Sequence, residues 1–221
     1  MTLRYPCLIL DHDDTVVDST ETCNYPSFQK SLAHMRPGAE ITMEDFVNYS
    51  FEPGFLAMCR DIYGFSEEEV EMQYHRWKAD ITDNRPPFVE GMIPLLKRYR
   101  AAGGHICTVS HSDSSIITGD YMANCGFAPE IIFGWDCPEE QRKPSPYPVE
   151  EILRRLGLEA SRALVVDDLK PGLTMARAAG ADFAAAGWCC PVRRVADYMK
   201  EHADYYFSRV SQLESLLFTA Q

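Results

Sequence analysis

The sequence has no run of 18 apolar residues, no internal repeat and no low-complexity tract, which sets aside a membrane-spanning helix, a solenoid and a long disordered segment. Positive charge is scarce: 21 Lys and Arg face 33 Asp and Glu, a formal net charge of -12. That balance disfavours nucleic acid and anionic membranes as partners. A small anionic substrate would need a local cation or a metal. The eight cysteines, at 7, 23, 59, 107, 125, 137, 189 and 190, are scattered. No second pair at ligand spacing joins the adjacent Cys189 and Cys190, so a thiolate metal site is set aside and reduced thiols are expected. The apolar part of "MTLRYPCLIL" is too short for a signal peptide, which makes the cytoplasm the expected location. No glycine-rich phosphate loop follows the first apolar run, which removes a nucleotide-binding fold of that type.

What is present is enough apolar material for a substantial core, 46% of 221 residues. Short apolar runs recur, "YPCLIL" at 5, "HICTVS" at 105, "EIIF" at 130, "ALVV" at 163, "DFAAA" at 182 and "YYF" at 205, with helical patterns between most of them. This alternation predicts an α/β fold, a three-layer Rossmann-like sandwich around a mainly parallel sheet. Nearly a hundred residues separate the first two runs, far more than one crossover needs, and they read as helices. The expected organisation is a core of 1–18 and 89–221 with an inserted α-helical cap at 19–88. Asp18 of "DSTE" is the expected N-cap of the first cap helix and Ser66 that of the last. "NRPPF" at 84–88 breaks helix and returns the chain to the core.

Polar residues just past the carboxyl ends of central strands converge on one crevice in such a sheet. The first strand delivers Asp11 and Asp13, the second Ser110, and "ALVV" delivers Asp167 and Asp168, while Lys143 lies in the loop "QRKPSPYP". Converging carboxylates repel one another and tend to protonate unless a cation intervenes. All-oxygen ligands suit Mg²⁺, which keeps waters and bridges to phosphate groups.

Taken in order, "DHDDT", Ser110 of "ICTVSHS", Lys143 of "RKPSP" and "VVDDLKPG" resemble the four motifs of the haloacid dehalogenase superfamily, in its phosphatase and phosphomutase-like branch with a helical C1-type cap. The similarity implies that Asp11 is the nucleophile and Asp13 the general acid and base. Thr15, Ser110 and Lys143 would contact the phosphoryl group. Asp11, the Asp13 carbonyl and Asp168 would ligate Mg²⁺, with Asp167 a ligand or an outer neighbour.

Two positions depart from the family pattern: Asp14 stands where glycine is usual, and Gly172 where many relatives carry an acid, for which Asp167 would compensate. His12 and His111 are outside the expected catalytic set. Phe55, Tyr74 and Trp77 read as packing residues, and the turn "FEPGF" with Glu52 as the specificity loop.

Asp13 argues against a dehalogenase, and Lys30 alone is thin support for a Schiff-base phosphonate hydrolase. The reading is therefore an Mg²⁺-dependent hydrolase of a small phosphorylated metabolite such as a sugar phosphate, a glycolate-like acid phosphate or a nucleotide. A phosphomutase shares the same core residues, and a non-catalytic phosphometabolite-binding protein is the competing class. Substrate and oligomeric state are not legible.

Overall fold

A computed structural model describes residues 2–189 and 192–219. Its centre is a six-stranded, wholly parallel sheet in the order β4-β3-β2-β5-β6-β7. The strands are β2 (Cys7–Leu10), β3 (His105–Val109), β4 (Ile131–Phe133), β5 (Ala163–Asp167), β6 (Asp182–Ala186) and β7 (Tyr205–Phe207). A separate antiparallel pair joins β1 (Thr2–Leu3) to β8 (Phe218–Thr219). Each half of that pair is too short to carry a readable alternation, which is why the sequence did not announce it.

β2 is buried along its whole length because helices cover both faces of the sheet. Its side chains alternate between two cores: Leu8 and Leu10 meet α5 (Met92–Ala101), α6 (Ser114–Cys125) and α10 (Val210–Leu217). Cys7 and Ile9 join the core built from α7 (Tyr147–Leu156), α8 (Lys170–Ala179) and α9 (Arg193–His202). The result is the expected three-layer α/β sandwich.

Between β2 and β3 the chain is helical: α1 (Tyr25–Met35), α2 (Met43–Tyr49), α3 (Phe55–Ala57) running on through a wide turn to Ile62, and α4 (Glu67–Asp83). Phe28 anchors this segment, with Phe46, Phe55, Tyr63 and Phe65 around its ring at 5.4 to 6.1 Å. Ser66 caps α4 through a full capping box with Glu69, as its sequence predicts. The first cap differs from expectation. Asp18 is exposed, and the amides of Ser19 and Thr20 are met instead by Asp14 Oδ1, at 3.0 and 2.9 Å. The loop after β2 folds back under the helix start, so its own carboxylate reaches the free N–H groups first.

Where the chain leaves and re-enters the sheet layer the two passes pair with each other: Val17 bridges Phe88, Asp18 N–H donates to the Pro87 carbonyl and Val89 N–H to that of Val16, both at 2.9 Å. Among the described residues no helix is long and apolar enough to cross a membrane. Cys7, Cys23, Cys59, Cys107, Cys125 and Cys137 are free thiols, and Cys190, half of the adjacent pair, lies outside the described residues.

Candidate active site

β2 and β5 run side by side and stop together, which fixes the main chain of Asp11: its N–H donates to the Val166 carbonyl at 2.9 Å. The next residues of the two strands, Asp11 on one side and Asp167 with Asp168 on the other, therefore share one end of the sheet. Carboxylate oxygens of Asp11, Asp167 and Asp168 lie within 4.8 Å of one another. Lys143 enters from the loop before α7. Its Nζ donates to Asp167 Oδ2 at 2.5 Å and stands 3.0 Å from Asp11 Oδ1, an ion pair not aligned as a hydrogen bond.

The electrostatics are those of too many acids for one base. Burial works against the Lys143 ammonium, but Asp11 and Asp167 outweigh it and hold it above the ordinary lysine range. Burial pushes Asp167 up to about 7, with Lys143 pulling the other way. Asp168 is driven well above the usual carboxylate range by burial and then by Asp167, Asp14 and Asp11. Its carboxylate has no hydrogen-bond or ion-pair partner among the described residues. A cluster of oxygen donors that is short of positive charge, with Asp168 unpartnered, fits a hard divalent cation such as Mg²⁺.

Asp13 also lines the cavity. Its Oδ1 accepts a hydrogen bond from Ser19 Oγ at 2.7 Å, and burial raises its pKa above the usual value, with His12 pulling it back and Asp11 adding to the rise. Asp14 takes a positive φ of 52°, the conformation for which glycine is usual at this place. Ser110 is buried at the end of β3 and lines the cavity, where its Oγ accepts from Ser112 N–H at 3.0 Å. Thr15 is not brought to the cavity: it is fully buried and its hydroxyl has no hydrogen-bond partner among the described residues.

Gly172, one turn into α8, explains its own departure from pattern. A Cβ there would lie 2.2 Å from the Asp167 carboxylate, so Asp167 occupies the space a side chain at 172 would need.

The cavity, about 130 Å³, is bounded on its other side by the inserted helices. Phe46, Phe55, Tyr74 and Trp77 line it together with Trp135 from the loop after β4. Phe55, Tyr74 and Trp77 thus pack and line the site at once, which their helical spacing alone does not reveal. Trp135 and Gln73 carried no motif that would have singled them out. Glu52 corrects the specificity-loop expectation: it is turned away from the cavity to Lys170 at 2.6 Å and Arg194 at 3.5 Å, and it is Phe55 of that turn that reaches the cavity.

His12, between the two acids, points away and hydrogen-bonds Asp120 Oδ2 through Nε2 at 3.0 Å. His111 lines the cavity and donates from Nε2 to the Lys143 carbonyl at 3.0 Å, and burial followed by the Lys143 charge lowers its pKa to about 4.

Residues 8–186 match the family model described as haloacid dehalogenase-like hydrolase. The chain belongs to the haloacid dehalogenase-like hydrolases. It is 27% identical over 218 residues to a phosphoglycolate phosphatase of Aquifex aeolicus, covering 95% of each chain. Solved structures of the same fold include a haloacid dehalogenase-like hydrolase from Bacteroides fragilis, with a TM-score of 0.76, 19% identity, and 95% of this chain and 99% of that one covered. Another is CbbY from Rhodobacter sphaeroides in complex with xylulose-(1,5)-bisphosphate, with a TM-score of 0.72, 17% identity, and 95% and 96% covered. The chain is therefore an enzyme of the hydrolase class, and Asp11, Ser110, Lys143 and Asp168, one from each of the four stretches singled out in the sequence, line the cavity at the end of β2 and β5.

Proposed function

We propose that this protein hydrolyses small phosphate monoesters through a phosphoryl group carried on Asp11, with Mg²⁺ held by Asp11, the Asp13 carbonyl and Asp168. The observation that carries this is Lys143 Nζ 3.0 Å from a buried Asp11 oxygen, with the Asp168 carboxylate within 4.8 Å of both Asp11 and Asp167. The Lys143 ammonium faces the Asp11 carboxylate as an ion pair and partly cancels the charge of an incoming phosphate. Asp167, paired to Lys143, positions that ammonium. An Asp11 oxygen attacks phosphorus as the P–O bond to the leaving alcohol breaks, and Asp13, whose raised pKa lets it carry a proton, delivers that proton to the leaving oxygen. Asp13 then takes a proton from the water that attacks phosphorus, which frees Asp11. Ser110, its Oγ lone pair engaged by Ser112 N–H, has its hydroxyl proton available to a phosphoryl oxygen. When bound, Mg²⁺ supplies charge neutralisation for the phosphoryl oxygens and for the acids around it.

Residues 19–88 act in this reading as a cap domain whose hinges are the paired passes around Val17 and Phe88. Closure over the cavity excludes bulk water.

The test is phosphate release from a panel of phosphate esters with Mg²⁺, with and without chelator, for wild type and Asp11→Asn. Expected are chelator-sensitive turnover in the wild type, a loss of about a thousandfold or more in Asp11→Asn, and a phosphoryl group on Asp11 found by mass spectrometry after acid quench. Tight ligand binding with no turnover and no phosphoenzyme would instead favour the binding-protein reading.

A further inference from the structure

Lys143 is the one lysine or arginine among the described residues lining the cavity, and it is already engaged by Asp11 and Asp167. Basic side chains that border the lining are turned elsewhere. Lys78 pairs with Asp113, Lys170 with Glu52, and Arg142 lies over the Trp135 ring while its Nε donates to the Cys137 carbonyl. Beyond the phosphoryl position, then, the cavity lining carries no lysine or arginine among the described residues.

What it carries is aromatic. Tyr74 and Trp135 lie nearly parallel, 24° apart with centroids at 6.3 Å, and Phe55 stands edge-on to Trp135 at 6.0 Å. Tyr74 is held in place by its hydroxyl, which donates to Asp113 Oδ2 at 2.5 Å. Beside it Gln73, only 4% exposed, lines the cavity with a side-chain amide that has no hydrogen-bond partner among the described residues. An amide in that position satisfies a hydroxyl or carbonyl group and has no charge with which to hold a carboxylate.

A second anion placed here would be stripped of water beside π faces, whose quadrupole is negative, and near four acids, Asp11, Asp13, Asp14 and Asp168. A ring would gain burial and stacking instead. The cavity's volume of about 130 Å³ is shared between the phosphoryl position and this aromatic end.

We propose that the cavity selects monophosphate esters of an uncharged, ring-bearing alcohol, its ring against Trp135 and Tyr74 and a neutral polar group at Gln73, and rejects leaving groups carrying a carboxylate or second phosphate. This rests on the phosphatase reading above, and it separates this chain from relatives named for phosphoglycolate.

The test uses a matched pair, benzyl phosphate and 2-phosphoglycolate, which share the CH₂–O–phosphate unit and differ in phenyl against carboxylate. Phosphate release with Mg²⁺ is measured for both. In parallel, Asp11→Asn protein with Mg²⁺ is titrated with benzylphosphonate and phosphonoacetate, followed by tryptophan fluorescence. The expected preference for the phenyl compound is about tenfold or more in kcat/KM and in affinity. Trp135→Ala should cut both ratios to below about threefold, and Trp135→Phe should retain most of them. Hydrolysis of 2-phosphoglycolate as fast as benzyl phosphate overturns the inference and leaves the phosphatase standing. Tighter binding of benzylphosphonate with no hydrolysis of either ester upholds the cavity assignment and overturns the phosphatase. Equal affinities overturn the inference even if Trp135→Ala fails to fold.

Discussion

Asp167 and Gly172 are one decision made by two residues. Asp167 is fully buried, gives one oxygen to Lys143 and the other to Leu169 N–H, and thereby fills the space over the first turn of α8. A methyl group at 172 would meet it at 2.2 Å. Gly172→Ala is therefore expected to cost about 2 kcal/mol in urea unfolding, within the range for overpacked cores. In the Asp167→Ala background the same change should cost far less, and the cycle's interaction energy is the measurement. Equal costs in both backgrounds would refute the coupling. His111 gives a pH dependence at the same scale. Burial, Lys143 and Arg142 hold its ring neutral down to about 4, with Asp11 acting the other way. In the unfolded chain it titrates near 6.5, so the unfolded state takes up the proton first as pH falls. Its contribution is full above about pH 6.5 and is lost towards pH 4, roughly 2 to 3 kcal/mol. His111→Gln should flatten the stability profile between pH 7 and 4 by that amount relative to wild type. That Asp11, Asp13, Ser110, Lys143 and Asp168 would meet at one cavity was legible because each sits directly after a strand or in a loop whose pattern is local in sequence. Trp135 was not, because its value lies in facing Tyr74, 61 positions earlier in the chain.

The inserted helices are joined to the sandwich through Asp113, the N-cap of α6. One oxygen accepts from Ser115 N–H, while the other takes Lys78 Nζ at 2.8 Å and the Tyr74 hydroxyl, both from α4. Burial opposes its charge, but these donors win and hold its pKa well below the usual carboxylate range. Asp113→Ala removes a helix cap and strands the Tyr74 hydroxyl, an expected loss of about 2 to 3 kcal/mol. Because Tyr74 also lines the cavity, KM should rise more than kcat falls. A stability loss with unchanged KM would show that α4 is held by other contacts. Elements of this kind were read well where periodicity is long. Strands β2 to β7 and α4 with its Ser66 cap stand where the pattern puts them. The misreadings are short-range competitions: Asp14 displaces Asp18 as the acceptor for the first inserted helix, and Glu52 finds Lys170 and Arg194 before it can face the cavity.

Across the whole molecule, a net charge of -12 makes every further acid at the sheet's end expensive, and Asp168 is the clearest case. With no partner for its carboxylate among the described residues and with Asp11, Asp14 and Asp167 around it, Asp168 destabilises the metal-free fold. A divalent cation bound there reverses the sign, because it binds the folded chain and adds RT ln(1 + [Mg²⁺]/Kd), about 2.7 kcal/mol at a hundred times Kd. In a chain of this length that corresponds to a rise in Tm of roughly 5 to 10 °C. Asp168→Asn is expected to cross the wild type: more stable in chelator, because a charge is lost from an acidic cluster, and less stable in millimolar Mg²⁺, because a ligand is lost. Differential scanning fluorimetry of both proteins under both conditions measures the crossing. If Mg²⁺ raised the two melting temperatures equally, the ion would be binding elsewhere, and the group of Asp14, Asp18 and Cys189, whose ligand atoms also lie within 4.8 Å of one another, would be the next place to substitute.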